Sequence, residues 1–362
     1  MIHYVCKYTP LELFKGFGEE CAVLEEMPEN SELSDQIAHA NLCGFGKSVI
    51  QAVLEGKVEQ LVLVNCCDSM RRVYDIVEST GKCKFLYMLD MPHEDNDCEK
   101  VKLAQGIHRL KKAYEKFSGK TFDRSGFLNA FSHEPVDNQP YIGVLGVRVS
   151  GILEKMIRDN IRMDVENLTC TGGRRLAVIR EELEKMEDDA MFLAYADALL
   201  SQMPCFRMNN STRRNRLYLD PNLKGIIYHT IKFCDYYGFE YASIKRDIKV
   251  PLLKIETDFT SQSAGQLLTR VQAFAETLEG SEDMDPSKGI SEEIRKKMES
   301  GVYYVAGIDS GSTSTDVVIL DKDGKIKSTM IIPTGGGAMM SAEKSLEMAV
   351  EKAGIRKEDI VR

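Results

Sequence analysis

The sequence predicts an α/β fold made of two doubly wound units, followed by a β-rich segment. Apolar runs of strand length, QLVLVNCC (60–67) and KFLYMLDMP (84–92), alternate with amphipathic stretches of helix length. The alternation begins again with YIGVLGVRVS (141–150), after the polar and proline-containing stretch SHEPVDNQP (132–140). Continuous apolar strands separated by helices are typical of parallel sheets that are covered on both faces.

The remaining elements follow from local patterns along the chain. Apolar and helical periodicity predicts helices at 33–56, 97–119, 151–165 and 262–280, and strands at 223–231 and 250–259. Thr260 or Ser261 is a candidate cap for the last helix. Four apolar residues are predicted to share one face of that helix: Leu267, Val271, Phe274 and Leu278. We therefore predict a first α/β domain at 1–135, a second at 136–280, a linker at 281–301 and a final segment at 302–362.

Composition and charge restrict the class of protein. The chain has 362 residues and a formal net charge of −9, which argues against nucleic acid or an anionic membrane surface as the main partner. No apolar run approaches the roughly 20 residues of a membrane span, and the start, MIHYVCKYTPLELF, lacks the pattern of a signal peptide. We therefore expect a cytoplasmic protein with neither a nucleic-acid nor a membrane partner.

The ten cysteines are expected to be reduced thiols, because the cytosol disfavours disulfides. No two of them have C-x-x-C spacing, so any metal site must be assembled by the fold from distant segments. One zinc ion takes four ligands, whereas iron–sulfur cubanes with an open or bridged iron can use three cysteines each. The alternative is that each cysteine is a small buried apolar residue.

Several cysteines fall where doubly wound folds build ligand sites, at the carboxyl edge of the sheet. Cys66 and Cys67 are predicted to end a strand, and Cys170 precedes a glycine turn in NLTCTGGRR. Cys205 and Cys234 are predicted at or beyond strands. Successive strand residues point to opposite faces, so Cys66 and Cys67 are not both expected at one site.

The final segment contains YYVAGIDSGSTSTDVVIL (303–320), which predicts a β-hairpin with a loop of small residues. Backbone N–H groups near Gly311 can approach phosphate oxygens, and the hydroxyls of Ser312, Thr313 and Thr315 add donors. The carboxylate of Asp309 can hold a hydrated Mg²⁺. An ordinary hairpin with a polar turn is the alternative.

This hairpin resembles the first phosphate motif of the acetate kinase, sugar kinase and actin superfamily. Within it, the segment is most similar to the ATP-dependent activators of 2-hydroxyacyl-CoA dehydratases and benzoyl-CoA reductases. The resemblance covers Tyr303 to Arg362 and implies a truncated, actin-like ATPase start without the second lobe. We therefore expect a fragment of a longer fusion that does not hydrolyse ATP by itself. ATP and Mg²⁺ would act through a complete activator, a partner with its own [4Fe–4S] cluster.

The rest of the chain, roughly residues 4–280, resembles the iron–sulfur subunit of the same dehydratase and reductase family. The resemblance is carried by YTPLELFKGFG, NLCGFGKS, NCCDSMRRVYD, TCTGGRR and KFCDYYGFEYASIKRDIKVPLLKIETDFTSQSAGQLLTRVQAFAE. It implies two Rossmann-like domains with helical additions, and a [4Fe–4S] cluster on a first trio of cysteines, Cys43, Cys67 and Cys234. The double-cubane branch of this family holds two cubanes joined by a sulfide. It implies a second trio, which here is Cys6, Cys170 and Cys205, with Cys21 and Cys66 as reserves.

The resemblance implies an ATP-dependent, low-potential iron–sulfur reductase component of the double-cubane type that forms a homodimer. A small-molecule or acyl-CoA substrate would bind at the cluster between the two domains, with the catalytic residues unassigned. One alternative is a 2-hydroxyacyl-CoA dehydratase subunit with a single [4Fe–4S] cluster. Another is a noncatalytic electron-transfer or docking module.

Other charged residues are candidates for supporting roles, although each has an ordinary structural alternative. His93 and His229 are candidate proton donors. Arg174 and Arg175 are a candidate anion site, and Arg213, Arg214 and Arg216 form a predicted surface cluster that could dock the activator.

Overall fold

A computed structural model of the protein describes residues 1–25, 27–131, 139–178, 180–209, 211–259, 264–282, 301, 303–310, 314–333 and 338–361. These residues belong to two compact units, Met1–Leu278 and Glu279–Arg362. The predicted domain boundary at 135/136, most of the predicted linker and the candidate caps Thr260 and Ser261 lie outside the described residues. Within the described ranges, no helix combines the length and apolarity needed to cross a membrane.

The first half of unit Met1–Leu278 contains a four-stranded parallel sheet with the order β2-β1-β3-β4. Its strands are β1 (Ile2–Tyr4), β2 (Cys21–Val23), β3 (Gln60–Val64) and β4 (Phe85–Leu89). Its helices are α1 (Leu11–Lys15), α2 (Glu32–Asp35), α3 (Gly44–Leu54), α4 (Asp68–Thr80), α5 (Asp97–Ser118) and α6 (Arg124–Asn129). The side chains of Leu61 to Val64 are all fully buried, as expected for a strand that is covered on both faces.

The second half of the unit repeats this arrangement with the order β6-β5-β7-β8, again all parallel. Its strands are β5 (Tyr141–Gly146), β6 (Asp164–Asn167), β7 (Leu223–Ile231) and β8 (Leu252–Thr257). Its helices are α7 (Gly151–Asn160), α8 (Arg180–Glu184), α9 (Asp188–Leu200), α10 (Ser211–Leu217), α11 (Asp235–Ile244) and α12 (Ala264–Glu282). The predicted α/β class with parallel sheets is confirmed.

Two hydrophobic cores hold the unit together. The larger core contains buried side chains from both sheets, such as Val62 of β3 and Tyr228 of β7. The smaller core lies between the second sheet, α7 and α12. The four residues predicted to share one face of the last helix, Leu267, Val271, Phe274 and Leu278, are all buried in it.

Two predicted elements near the cysteines are shorter than expected. The predicted helix at 33–56 is interrupted, since α2 ends at Asp35 and α3 begins at Gly44. Cys43 is the N-cap of α3 in an extended conformation, and its sulfur accepts a hydrogen bond from the backbone N–H of Gly46 at 3.4 Å. The predicted strand at 60–67 ends at Val64, so Cys66 and Cys67 lie in the turn that leads into α4.

The unit Glu279–Arg362 has a mainly antiparallel sheet with the order β11-β10-β9-β12. Its elements are β9 (Tyr304–Ser310), β10 (Ser314–Asp321), β11 (Ile326–Pro333), α13 (Ala338–Ala353) and β12 (Ile360–Val361), the last of which pairs parallel with β9. Val317 and Ile319 of β10 pack with Leu346 and Ala349 of α13 in a small core. β9 and β10 form the antiparallel pair that the sequence indicates, while the resemblance to an ATPase stays a prediction.

Candidate metal centre

One cavity in unit Met1–Leu278 is lined by residues from both halves, among them seven cysteines. These are Cys6, Cys43, Cys66, Cys67, Cys170, Cys205 and Cys234. The six cysteines that the resemblance nominates therefore meet at one place, and Cys66 is the seventh.

The cavity lies beyond the carboxyl ends of the neighbouring strands between which the strand order of each sheet changes direction. In the first sheet this point is between β1 and β3, and Cys6 and Cys67 follow those two strands. In the second sheet it is between β5 and β7, which are followed by Arg148 and Cys234. Doubly wound sheets bind ligands outside the carboxyl ends of their strands at such switch points. Two switch points thus contribute to one site.

The first trio shares a local environment, because each of its cysteines is the N-cap of a helix. Cys43 precedes α3, Cys67 precedes α4 and Cys234 precedes α11. A helix N-terminus carries partial positive charge and free N–H groups, which stabilise a thiolate relative to a thiol. The N–H groups at these helix starts lower the pKa of the three thiols, but burial outweighs them at Cys43 and Cys234, whose pKa values stay raised.

Burial and neighbouring thiols both shift the pKa values of the lining cysteines. Burial, together with the nearby thiols of Cys205 and Cys170, raises the pKa of Cys6 to about 12. Burial, with contributions from the thiols of Cys43, Cys170 and Cys67, raises the pKa of Cys234 to about 12. Without a metal these buried thiols are protonated at neutral pH, so metal binding must release their protons.

Cys66 corrects a prediction made from strand geometry. We expected Cys66 and Cys67 to point to opposite faces, but both line the cavity, because β3 ends before them and strand alternation no longer applies. The hydrogen bond with the Cys66 thiol lowers the pKa of Cys67 to about 7 and raises that of Cys66 well above its usual value. A substantial fraction of Cys67 side chains is therefore in the thiolate form near neutral pH.

The donor set fits an iron–sulfur cluster. Within the described ranges, no three His, Cys, Asp or Glu side chains converge as the ligands of a single metal ion. The thiols instead surround a cavity of about 90 Å³, and no carboxylate or imidazole is among its described lining residues. Thiolates are the ligands that soft metals and iron–sulfur clusters take.

Cys205 lies in a different setting from the one predicted, because it follows a helix and not a strand. It is buried in the loop between α9 and α10. Arg214, predicted to be on the surface, is buried as well and forms an ion pair with Glu240 of α11. Its Nη1 donates to the carbonyl of Pro204 at 2.8 Å, so this pair anchors the loop that carries Cys205.

The predicted anion site and proton donors are also engaged by protein partners. Arg174 donates from Nη1 and Nη2 to the two carboxylate oxygens of Glu12, each at 2.6 Å. His229 is buried, with Nδ1 2.7 Å from the carbonyl oxygen of Arg148, and burial lowers its pKa to about 4. Nε2 of His93 lies 3.3 Å from Nη2 of Arg207. These contacts give the side chains structural roles outside the cavity lining.

Two further lining residues were missed by the sequence reasoning, Arg148 and Arg207. The available signal for Arg148 was a single cation within the otherwise apolar run YIGVLGVRVS. Arg207 stands close to Cys205 in the chain, but nothing in its local sequence marks it as buried.

Two phenylalanines next to the site have left-handed backbone conformations, with φ of 65° at Phe233 and 63° at Phe259. Phe233 is 56% exposed, whereas Phe259 is buried with its ring 5.3 Å from that of Phe45.

Replacing each phenylalanine by glycine should affect stability differently. In Phe233→Gly, relief of about 1–2 kcal/mol of strain offsets the chain entropy of glycine. We expect its free energy of unfolding to change by less than about 1 kcal/mol, while Phe259→Gly loses about 3 kcal/mol. Denaturant unfolding measures both, and equal losses would contradict this account.

The nominated nucleotide residues lie in unit Glu279–Arg362. Asp309 is exposed on β9 and is paired across the sheet with Asp316 of β10. Thr315 is fully buried. Gly311, Ser312 and Thr313 lie outside the described residues.

Comparison with known proteins finds relatives among dehydratase components. The family described as 2-hydroxyglutaryl-CoA dehydratase, D-component, matches residues 6–135 and 137–278. YjiM of Escherichia coli (strain K12), provisionally named a dehydratase subunit, is 28% identical over 153 residues, 40% of this chain and 39% of YjiM. The (R)-phenyllactyl-CoA dehydratase beta subunit of Clostridium sporogenes is 40% identical over 57 residues, 15% of each chain. The matched part of the chain thus spans about two fifths of the first relative and about a seventh of the second.

Proposed function

Because the chain belongs to the 2-hydroxyglutaryl-CoA dehydratase D-component family, we propose that it is an iron–sulfur reductase component driven by an ATP-dependent activator. In this proposal the protein receives low-potential electrons and reduces a small substrate at a pair of [4Fe–4S] clusters. The observation that carries the proposal is the single cavity lined by seven cysteines from both halves of the unit.

The two trios would divide the ligands. Cys43, Cys67 and Cys234 at the helix N-caps would hold one cubane, and the second trio, Cys6, Cys170 and Cys205, would hold the other. Such clusters supply single electrons at potentials that depend on burial, net charge and hydrogen bonds to sulfur. The residues of this chain would bind the cluster, exclude water from it and set its electrostatic surroundings.

The activator is proposed as a separate partner that holds ATP, Mg²⁺ and its own [4Fe–4S] cluster. Unit Glu279–Arg362, with Asp309 on an antiparallel strand pair, is proposed to be related to the start of that activator. Coupling to ATP would then act through differential affinity of the activator for two states of the complex. We further propose that the chain acts as a homodimer.

A 2-hydroxyacyl-CoA dehydratase subunit with one [4Fe–4S] cluster is a second candidate. It is favoured by the names of both relatives, which describe dehydratase subunits. In that case only the first trio would bind iron, and the second trio would consist of buried thiols.

The iron content of the anaerobically reconstituted full chain separates the two candidates. Two cubanes give about eight irons per chain, and one gives about four. Iron and acid-labile sulfide are measured together with the redox spectrum. A value near four favours the dehydratase candidate, and the absence of bound iron contradicts both.

Cys205→Ser tests the second trio directly. Because a serine hydroxyl is a poor ligand for iron, we expect this variant to lose about half of its iron if two cubanes are present. Cys98→Ser is the matched control, since Cys98 is exposed and outside the cavity lining. If Cys205→Ser bound as many irons per chain as the wild-type protein, the proposed division of ligands would be ruled out.

A further inference from the structure

Two buried arginines at the cysteine cavity have no acidic partner within hydrogen-bond reach in the described part of the chain. Arg148 is 4% exposed and Arg207 is 8% exposed. Arg148 donates to the carbonyl oxygens of Leu24, at 3.1 Å, and Val5. Arg207 donates to those of Pro92, at 2.6 Å, and Met91, at 2.5 Å.

These contacts leave two positive charges buried beside the cavity. A guanidinium stays protonated in proteins, so neither residue can escape the cost of burial by losing its proton. Carbonyl oxygens satisfy hydrogen bonds but carry no net charge, and buried charges are otherwise paired with opposite charges. The positive charge of Arg148 lowers the pKa of Glu25, although burial of that carboxyl outweighs the effect. Within the described part of the chain, however, no hydrogen bond joins the two side chains, and the guanidinium of Arg148 donates only to carbonyl oxygens. Direct contact with an anion is therefore left to a group in the cavity.

The cavity is the place where that counter-ion would lie. The guanidinium of Arg148 stacks on the ring of Phe45, 3.5 Å from its centroid, and Phe45 follows Cys43 of the first trio by two residues. The backbone N–H of Arg148 donates to the sulfur of Cys170, in the second trio, at 3.2 Å. Arg148 therefore lies next to residues of both trios. Arg207 lines the same cavity, and its Nε is buried with no hydrogen-bond partner among the residues that the structure describes. An orphaned donor on a buried cation at a cavity wall indicates an anionic ligand.

We propose that Arg148 and Arg207 are the countercharges of the iron–sulfur site and raise its reduction potential, an inference that rests on the function proposed above. Cubanes held by cysteine thiolates are anionic, and each one-electron reduction adds one more negative charge. Nearby fixed cations stabilise the more negative, reduced form. They would make the site easier to reduce by the electron donor.

Redox titration of the reconstituted full chain with titanium(III) citrate, a one-electron donor, tests this. At the wild-type midpoint potential, Arg148→Met and Arg207→Met should each lower the ratio of reduced to oxidised cluster about tenfold, which is 59 mV for one electron. Arg148→Lys and Arg207→Lys keep the charge and should recover most of the shift. Arg158→Met removes one exposed cation from α7, outside the cavity lining, and should leave the midpoint unchanged. A midpoint in the cavity variants equal to that of wild type overturns the proposal.

Thermal unfolding of the iron-free chain provides a readout even where a variant fails to retain iron. Without the anionic cluster, removal of an uncompensated buried charge should leave the melting temperature unchanged or raise it. Loss of iron from a Met variant whose iron-free form melts as wild type also supports the proposal. An equal fall of the melting temperature in the iron-free and loaded forms shows a structural role only. If wild type itself binds no iron, the proposed function fails, and that result is distinct from an unshifted midpoint.

Discussion

Replacing Glu240 by alanine should lower the free energy of unfolding by about 3–5 kcal/mol. Its carboxylate accepts hydrogen bonds from Nε and Nη2 of Arg214, the second at 2.7 Å, and both side chains are buried. The hydroxyls of Tyr218, at 3.1 Å, and Tyr228 donate to the same carboxylate. Burial by itself would lower the pKa of Arg214, but the neighbouring carboxylate of Glu240 outweighs burial and raises this pKa well above its usual value. The alanine variant therefore leaves a buried guanidinium without its counter-ion.

Denaturant unfolding of the iron-free chain measures this effect, and two further variants give it a reference. Glu154→Ala breaks the more exposed pair with Arg158 and should cost less than about 1 kcal/mol. The double variant Arg214→Met/Glu240→Leu removes both charges and should cost less than Glu240→Ala alone. Similar losses in Glu240→Ala and Glu154→Ala would contradict the argument from burial.

The same variant should also affect iron binding. Because Nη1 of Arg214 donates a hydrogen bond to the carbonyl oxygen of Pro204, Glu240→Ala should bind less iron at the adjacent Cys205.

Gly44→Ala should cost about 3 kcal/mol, at the upper end of overpacking effects. A Cβ at this position would lie 1.8 Å from the carbonyl oxygen of Asp258 and 3.3 Å from Cβ of Phe259. Gly44 begins α3 in the first half of the unit, while Asp258 follows β8 in the second half. The methyl group can be accommodated only if the backbones of the two halves move apart. Since Cys43 precedes Gly44, the variant should also lose iron from the first trio.

Gly238→Ala is the matched control for this substitution. Gly238 lies within α11, and a Cβ there would meet nothing within 4 Å. Alanine is about 1 kcal/mol more favourable than glycine inside a helix, so this variant should be more stable than wild type. Unfolding curves and iron content of the two variants are compared, and the same sign of effect at both positions would exclude a steric cause.

Local patterns were sufficient for most of the fold. The apolar run at 60–67 predicts a buried strand because burial on both faces requires continuous apolar residues, and β3 has that burial. The run lacks a signal for its end, so the strand was predicted through Cys66 and Cys67 although it ends at Val64. Similarly, helical periodicity at 33–56 did not reveal the interruption before Cys43.

The charged residues of the site were less accessible to this reasoning. Arg214 was predicted on the surface because it stands among other arginines, but its partner Glu240 comes from another helix. Arg148 and Arg207 acquire their meaning only from burial beside the cysteines. Pairing and burial depend on contacts between segments that are distant in the chain, which no local pattern encodes.

The sequence by itself determined the α/β class, the parallel strands and, through resemblance, which six cysteines to examine, because periodicity and motif context are local properties. Only the tertiary structure brought those cysteines to one cavity, added Cys66 and placed two buried cations beside them. The reason is physical. The repeated strand order puts the carboxyl ends of both sheets at a common site, and a thiol or a guanidinium becomes part of that site only through what packs against it.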